Sequence, residues 1–247
     1  MFRMSKKCLL YISMLGTPDV YDPAFYADLP DTGDDQLFVA NRLREWGVSE
    51  QINFRSANVT LGDDIPDCDE FDAVIVGGSF HSMNENQPWQ KRVVSWLTDW
   101  QKTRRPALGI CAGHQLMCRM AGVDVVPRSD GANGRSDSVT LTNEGKTHSL
   151  FDGYGDQPVF HFGNYEHVVE TPAGSTVLAT GTNSPALAID HGGNWLSIQF
   201  HPEILHDYLV RVWLNSGTPE FSANYYSLPD APRVLVNYVR WAGLLSD

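Results

Sequence analysis

Pro106-Ala107-Leu108-Gly109-Ile110-Cys111-Ala112-Gly113-His114-Gln115-Leu116 changes its period in the middle. The small and apolar residues up to Ile110 read as a buried β-strand, and residues 112–121 follow a helical pattern. A strand that turns straight into a helix around Gly-x-Cys-x-Gly is the cysteine version of a nucleophile elbow. Gly109 and Gly113 keep strand and helix from clashing while the residue between them takes a strained backbone. The helix N-terminus then lies under the Cys111 sulfur and favours thiolate. The N–H of Ala112 is placed to bind an oxyanion. An isolated cysteine is more often a buried structural thiol, the reading that fits Cys118. The flanking glycines and the strand–helix context set Cys111 apart.

Upstream, the same alternation repeats. Residues 8–14 read as a strand, and residues 34–46 as a helix capped by Asp34 or Asp35 and ended by Gly47. Ile52 to Ser56 and Phe71 to Val76 are further strands, and residues 89–102 a helix. Strand–helix alternation implies βαβ units, a parallel sheet and helices on both faces. After residue 122 strand-like pieces follow one another: Ser136 to Leu141, Pro158 to Phe162, His167 to Glu170, Thr176 to Ala179, Ala186 to Ile189 and Trp195 to Phe200. They imply an antiparallel or mixed extension of the same sheet. Helices near 203–214 and 231–242 close the chain, with a loop over 215–230. Residues 1–247 read as a single domain without repeat or linker.

The 247 residues include 18 Lys+Arg against 30 Asp+Glu, a formal charge of −12. So acidic a chain lacks the basic footprint that a nucleic acid or an anionic membrane needs. Cys8, Cys68, Cys111 and Cys118 are too few for a disulfide scaffold and fit a reducing compartment. Arg3, Lys6 and Lys7 before the apolar run 8–15 mimic a signal peptide. Gly16-Thr17-Pro18-Asp19 follows without a small-residue cleavage site, so a buried first strand is the expectation. No apolar stretch approaches a membrane span, and the expected location is cytoplasmic.

A thiol with pKa about 8.5 needs a base to be an efficient nucleophile at neutral pH. Among eight histidines, His201 ends the apolar strand Leu196-Ser197-Ile198-Gln199-Phe200 and precedes Pro202-Glu203. Glu203 can accept from one ring nitrogen while the other faces Cys111. Taken alone, a solvent-facing His and a helix N-terminal Glu fit these residues equally well. His81, His148, His161, His167, His191 and His206 show no such partner pattern, and His114 reads as structural. Gly77-Gly78-Ser79-Phe80 follows the strand before the cysteine's; a Gly-Gly alone is usually just a turn, but this position makes the N–H of Gly78 the candidate second oxyanion donor. His and Asp are scattered without zinc-like spacing, so no metal is expected.

These pieces resemble the class I glutamine amidotransferase family over roughly residues 8 to 242. Gly-Ile-Cys-Ala-Gly-His-Gln-Leu (109–116) is similar to its nucleophile motif and Gln-Phe-His-Pro-Glu (199–203) to its His/Glu motif. The Gly-Gly-Ser segment with Gln87-Pro88-Trp89 resembles the oxyanion loop of the subgroup like the GMP synthetase glutaminase. The resemblance implies a flavodoxin-like α/β fold, a mostly parallel sheet with flanking helices and a small additional antiparallel sheet. It implies a Cys111–His201–Glu203 triad, oxyanion donors at Gly78 and Ala112, and substrate contacts from Gln115, Asn164 and Tyr165. No cofactor is implied. Ala112 is smaller than its counterpart in many relatives. Gly163-Asn164-Tyr165-Glu166-His167 replaces a His-x-Asp motif, through loop drift or to admit a leaving group larger than ammonia.

Three functions follow as expectations. The first is a stand-alone hydrolase of a small-molecule γ-glutamyl substrate, either glutamine or a γ-glutamyl amine or arylamine such as a γ-glutamylanilide. The second is an ammonia-donating subunit of a separate synthetase or ligase. The third is a non-enzymatic binding or regulatory protein on this fold, which predicts a damaged triad that the sequence does not show.

Overall fold

The computed structural model describes residues 6–182 and 184–245; Arg3 of the N-terminal basic run lies outside them. Five strands form the parallel part of the main sheet: β1 (Cys8–Ser13), β2 (Asn53–Asn58), β3 (Ala73–Val76), β4 (Ala107–Ile110) and, late in the chain, β12 (Trp195–Ile198). They lie side by side in the order β2-β1-β3-β4-β12, the 2-1-3-4-5 order of flavodoxin-like folds. Strands β3, β4 and β12 are buried at every residue. Near-continuous apolar runs are what a parallel sheet covered on both faces requires.

Alternate residues feed two cores. Leu9, Tyr11, Ile75, Leu108 and Ile110 point to one side. There they meet Val39 and Leu43 of α1 (Asp35–Glu45) and Val234, Leu235 and Tyr238 of α6 (Arg233–Trp241). Leu10, Ile12, Val74 and Val76 point to the other. There they meet Val93, Leu97 and Trp100 of α2 (Pro88–Thr103) and Leu116 and Met117 of α3 (Ala112–Met120). The period of two in a strand makes this division automatic.

The sheet continues antiparallel through β11 (Ser184–Gly192), β10 (Thr176–Gly181) and β7 (Thr140–Leu141). The strand expected over Ser136–Leu141 is broken. Asn133–Ser138 forms β6 and pairs with β8 (Val159–Asn164) in a separate ribbon, whereas Thr140 and Leu141 join the main sheet. Val139 lies at the break, fully buried. A second ribbon pairs β5 (Val125–Pro127) with β9 (Glu166–Val168). A short helix α4 (Asn143–Thr147) precedes β8, and α5 spans His206–Leu214. The helix expected from residue 203 starts later, because the Glu203 side chain is turned back to His201. A 3₁₀ turn at Pro219–Asn224 interrupts the expected loop.

Register then sets the site. Ile198 of β12 lies opposite Ile110 of β4, and Val76 of β3 opposite Gly109. The segments after these three strands therefore emerge together at the carboxyl edge, where ligands of open α/β sheets bind.

Candidate functional site

Cys111 has φ 51° and ψ −103°, outside the regions that L-residues favour. The strain, on the order of 1–3 kcal/mol, is held by the surroundings. The Cys111 N–H donates to the Ile198 carbonyl at 2.8 Å, and the Gly113 N–H to the Gly77 carbonyl at 3.1 Å. A Cβ at Gly109 would lie 2.6 Å from the Gly113 carbonyl, and one at Gly113 2.3 Å from the Val76 oxygen. Only glycine fits at either place. The sulfur thus sits at the N-terminus of α3, and the N–H of Ala112, at the open first turn, has no acceptor among the described residues.

His201 is fixed at two points. Its N–H donates to the His161 carbonyl of β8 at 2.8 Å. Its Nδ1 lies 2.8 Å from Glu203 Oε1, and the ring lies close enough to the Cys111 sulfur to feel its charge. Burial alone pushes the ring's pKa down. The Glu203 carboxylate and the Cys111 sulfur together outweigh it, so His201 is raised well above its ordinary value and holds its proton at neutral pH. His161 bears the electrostatic consequence. Burial, reinforced by the charges of His201 and His206, lowers it to about 3. The N–H of Gly78 likewise has no acceptor among the described residues. A Cβ there would stand 3.1 Å from His201 Cε1 and 3.7 Å from Cys111 Cβ. Gly78 therefore abuts both side chains, and the structure brings Cys111, His201, Glu203, Gly78 and Ala112 into one place.

The expected substrate contacts divide. Gln115 Nε2 donates to the Glu166 carbonyl at 3.0 Å and to Gln199 Oε1 at 3.1 Å. Asn164 Nδ2 donates to the same Glu166 carbonyl at 2.8 Å, leaving its buried Oδ1 without a partner. Both line the cavity beside Cys111, but their amide protons are taken up in holding β9. Tyr165 is exposed, with its ring 5.5 Å from that of Trp213.

Three features escaped sequence reasoning. Glu166 lines the cavity and accepts from Ser82 Oγ at 2.9 and 2.8 Å. His81, expected to have no partner, lies between Glu85 Oε2 at its Nδ1 and Thr17 Oγ1 at its Nε2, both at 2.8 Å. The i,i+4 spacing of His81 and Glu85 was visible, but it lies in a turn rather than a helix. Asp35 is buried beneath the site, accepting from Tyr11 at 2.8 Å and Ser13 at 2.7 Å. Burial raises its pKa to about 7; the two hydrogen bonds oppose the rise, and Asp34 and Glu203 add to it. Cys118 is inert by contrast, its pKa pushed up to about 12 by burial.

Cys111, His201, Glu203, Gly78, Gln115 and Glu166 line one cavity of about 780 Å³, which His81 and Asp35 also reach. Among the described residues, no group of three or more His, Cys, Asp or Glu is placed to hold a metal ion. No helix among them is long and apolar enough to cross a membrane.

The family model described as Glutamine amidotransferase class-I matches residues 37–213. GMP synthase (glutamine-hydrolyzing) of Aeropyrum pernix is 28% identical over 195 residues, covering 79% of this chain and 34% of the relative. The chain thus spans about a third of that relative's length. A GMP synthase (glutamine-hydrolyzing) subunit of Ignicoccus hospitalis is 32% identical over 144 residues, covering 57% of this chain and 71% of the relative. In structure, the glutamine amido transferase of Methylobacillus flagellatus superposes with a TM-score of 0.71 at 18% identity, over 98% of this chain and 96% of that one. That likeness speaks to the fold.

Proposed function

The chain belongs to the class I glutamine amidotransferase family, and from that premise we propose that it hydrolyses the γ-carboxamide of glutamine through a Cys111 thioester and passes the ammonia to a separate synthetase. The observation that carries the reading is the run of contacts from Cys111 to His201 to Glu203, with two unengaged N–H groups beside the sulfur. The names of the relatives, glutamine-hydrolyzing synthases and a synthase subunit, support glutamine and a synthetase over a larger amide.

The Cys111 thiolate attacks the γ-carbon, and its carbonyl oxygen takes up the negative charge. The N–H groups of Gly78 and Ala112 stabilise that oxyanion, an effect worth about 3–4 kcal/mol per donor in comparable sites. The C–N bond breaks as His201 gives its proton to the departing nitrogen. Ammonia leaves, and a γ-glutamyl thioester remains on the sulfur. Water then loses a proton to His201 and adds to the same carbon. The C–S bond breaks, releasing glutamate and restoring Cys111. Glu203 holds the ring and stabilises its charge. Asn164 Oδ1 and the Glu166 carboxylate are acceptors suited to the substrate's α-ammonium, and Gln115 positions them through the Glu166 carbonyl.

One observation favours a second reading, in which the amine is larger than ammonia. A cavity of about 780 Å³ is the size of a drug-like ligand site, well beyond what glutamine fills. The test measures glutamate release from glutamine by wild type and Cys111→Ala, with and without candidate synthetases. Cys111-dependent release that rises with a synthetase is expected. Equal rates in the two proteins would sink both readings, and strong activity on bulky γ-glutamyl amides with little on glutamine would select the second.

A further inference from the structure

We propose that the β1–α1 connection, residues 14–34, builds a subsite for the amine half of a γ-glutamyl substrate, and that this subsite takes a flat aromatic amine. The inference rests on the thioester chemistry and on the second reading above, in which the amine is larger than ammonia, and it names the class of that amine. His201 must deliver its proton to the departing nitrogen, so the amine lies on the His201 side of the sulfur. The cavity has two kinds of lining. Gln115, Asn164, Glu166 and Ser82 supply polar groups. Ile204, Tyr208, Phe38, Tyr26 and Tyr21, which form one apolar cluster, also line it, as do Asp19, Asp22 and Asp35.

The rings of the apolar lining form a row. Phe80 stacks on Tyr21 with centroids 5.2 Å apart, and Tyr21 on Tyr26 at 5.3 Å. Tyr26 meets Tyr208 at 4.8 Å, and Phe38 meets Tyr208 edge-on at 4.7 Å. Offset and edge-to-face rings are the partners another aromatic ring prefers. The Tyr208 phenol donates to Tyr21 and the Tyr21 phenol to the Gly33 carbonyl, so these two hydroxyls are taken, and the buried rings give this wall an aromatic lining. Among the described residues no Lys or Arg lines the cavity, which disfavours an amine carrying a carboxylate. At the mouth, Val20, Phe25 and Phe80 are 45%, 60% and 42% exposed, apolar surface that a bound ring would cover.

The connection is fastened to the loop that carries Gly78. The Phe80 N–H donates to the Leu15 carbonyl at 2.7 Å, and Thr17 Oγ1 lies 2.8 Å from His81 Nε2. The connection carries only two short 3₁₀ turns, Pro23–Tyr26 and Pro30–Gly33, and connections this long are commonly binding elements. It also precedes residue 37, where the family match begins. In the reaction it supports, the anilide C–N bond breaks as the γ-carboxamide C–N bond of glutamine does. His201 protonates the arylamine nitrogen, and the γ-glutamyl thioester is the same.

The test separates binding from reactivity. Calorimetry on the Cys111→Ala protein compares γ-glutamylanilide, γ-glutamylcyclohexylamide, the γ-glutamyl amide of 1,4-diaminobutane and glutamine. The expected order puts the anilide first, about tenfold or more tighter than glutamine, and Phe25→Ala or Phe80→Ala in that background narrows the gap. Wild type should release aniline and glutamate from the anilide. An anilide that binds no tighter than glutamine or the cyclohexyl compound, or a diamine amide that binds best, overturns the aromatic subsite. That result leaves the thioester reading standing if wild type still hydrolyses glutamine through Cys111. Absence of Cys111-dependent hydrolysis of every amide would overturn the reading beneath it.

Discussion

Gly78→Ala is a small change at the closest approach in the site. The new methyl would lie 3.1 Å from His201 Cε1, 3.9 Å from its Nδ1 and 3.7 Å from Cys111 Cβ. The first contact is tight, so the ring must give by a few tenths of an ångström. It has little room, because Glu203 holds the ring at 2.8 Å and the His161 carbonyl pins the His201 backbone N–H at 2.8 Å. Gly78 does not have a positive φ, so alanine strains no backbone, and the expected stability loss is about 1 kcal/mol or less. The ring's displacement and the crowded oxyanion position fall on the reacting atoms. A drop in kcat of about 10- to 100-fold is expected, equivalent to about 1.4–2.7 kcal/mol. Glutamate release and thermal melting are measured side by side. Gly77→Ala is the contrast. Its methyl would lie 2.1 Å from the Tyr11 hydroxyl, so its cost appears in Tm. A folded Gly78→Ala protein with kcat within about threefold of wild type would refute the placement of Gly78 against the reacting centre. So would a Tm loss as large as that of Gly77→Ala.

Glu203→Gln removes a charge that raises His201. Activity should fall by about a hundredfold or more, with the alkaline limb of its pH profile moved to lower pH. An unmoved limb would count against the pairing. Asp35 is protonated in the fold up to about pH 7 but has an ordinary value of 3.8. Its stabilising proton uptake is fully present below that ordinary value and lost as pH rises through about 7. Urea denaturation should show wild-type stability declining across that window by up to a few kcal/mol. Asp35→Asn should flatten the decline. Iodoacetamide at neutral pH should modify Cys111 and leave buried Cys118 untouched in the folded protein, read by peptide mass; equal modification of the two would contradict their different environments.

The parallel half of the fold was legible because its information is local. Continuous apolar runs at 73–76 and 107–110, each followed by glycine or a Gly-x-Cys-x-Gly turn, fix both the strands and the edge where they end. The same locality made Cys111, His201 and Gly78 readable, each the first reactive feature beyond a buried strand. The rest of the cavity depends on contacts remote in sequence. Phe80, Tyr21, Tyr26 and Tyr208 come from three separate segments, and nothing in Val20-Tyr21-Asp22-Pro23-Ala24-Phe25-Tyr26 is periodic. The split at Val139 was hidden for a related reason. Ser136 to Leu141 reads as one strand, and which partner each part takes is decided by β8 and β10. Gln115 and Asn164, expected as substrate contacts, line the cavity, yet their shared bond to the Glu166 carbonyl could not be read from either position.

The thioester itself is the most direct test of the account. Wild type mixed with glutamine, quenched in acid within the first turnovers and digested, should yield the Cys111 peptide carrying one γ-glutamyl group. The adduct should vanish with Cys111→Ala and fade as substrate is exhausted. Continuous glutamate release with an unmodified Cys111 peptide at every quench time, or an adduct on another residue, would contradict it.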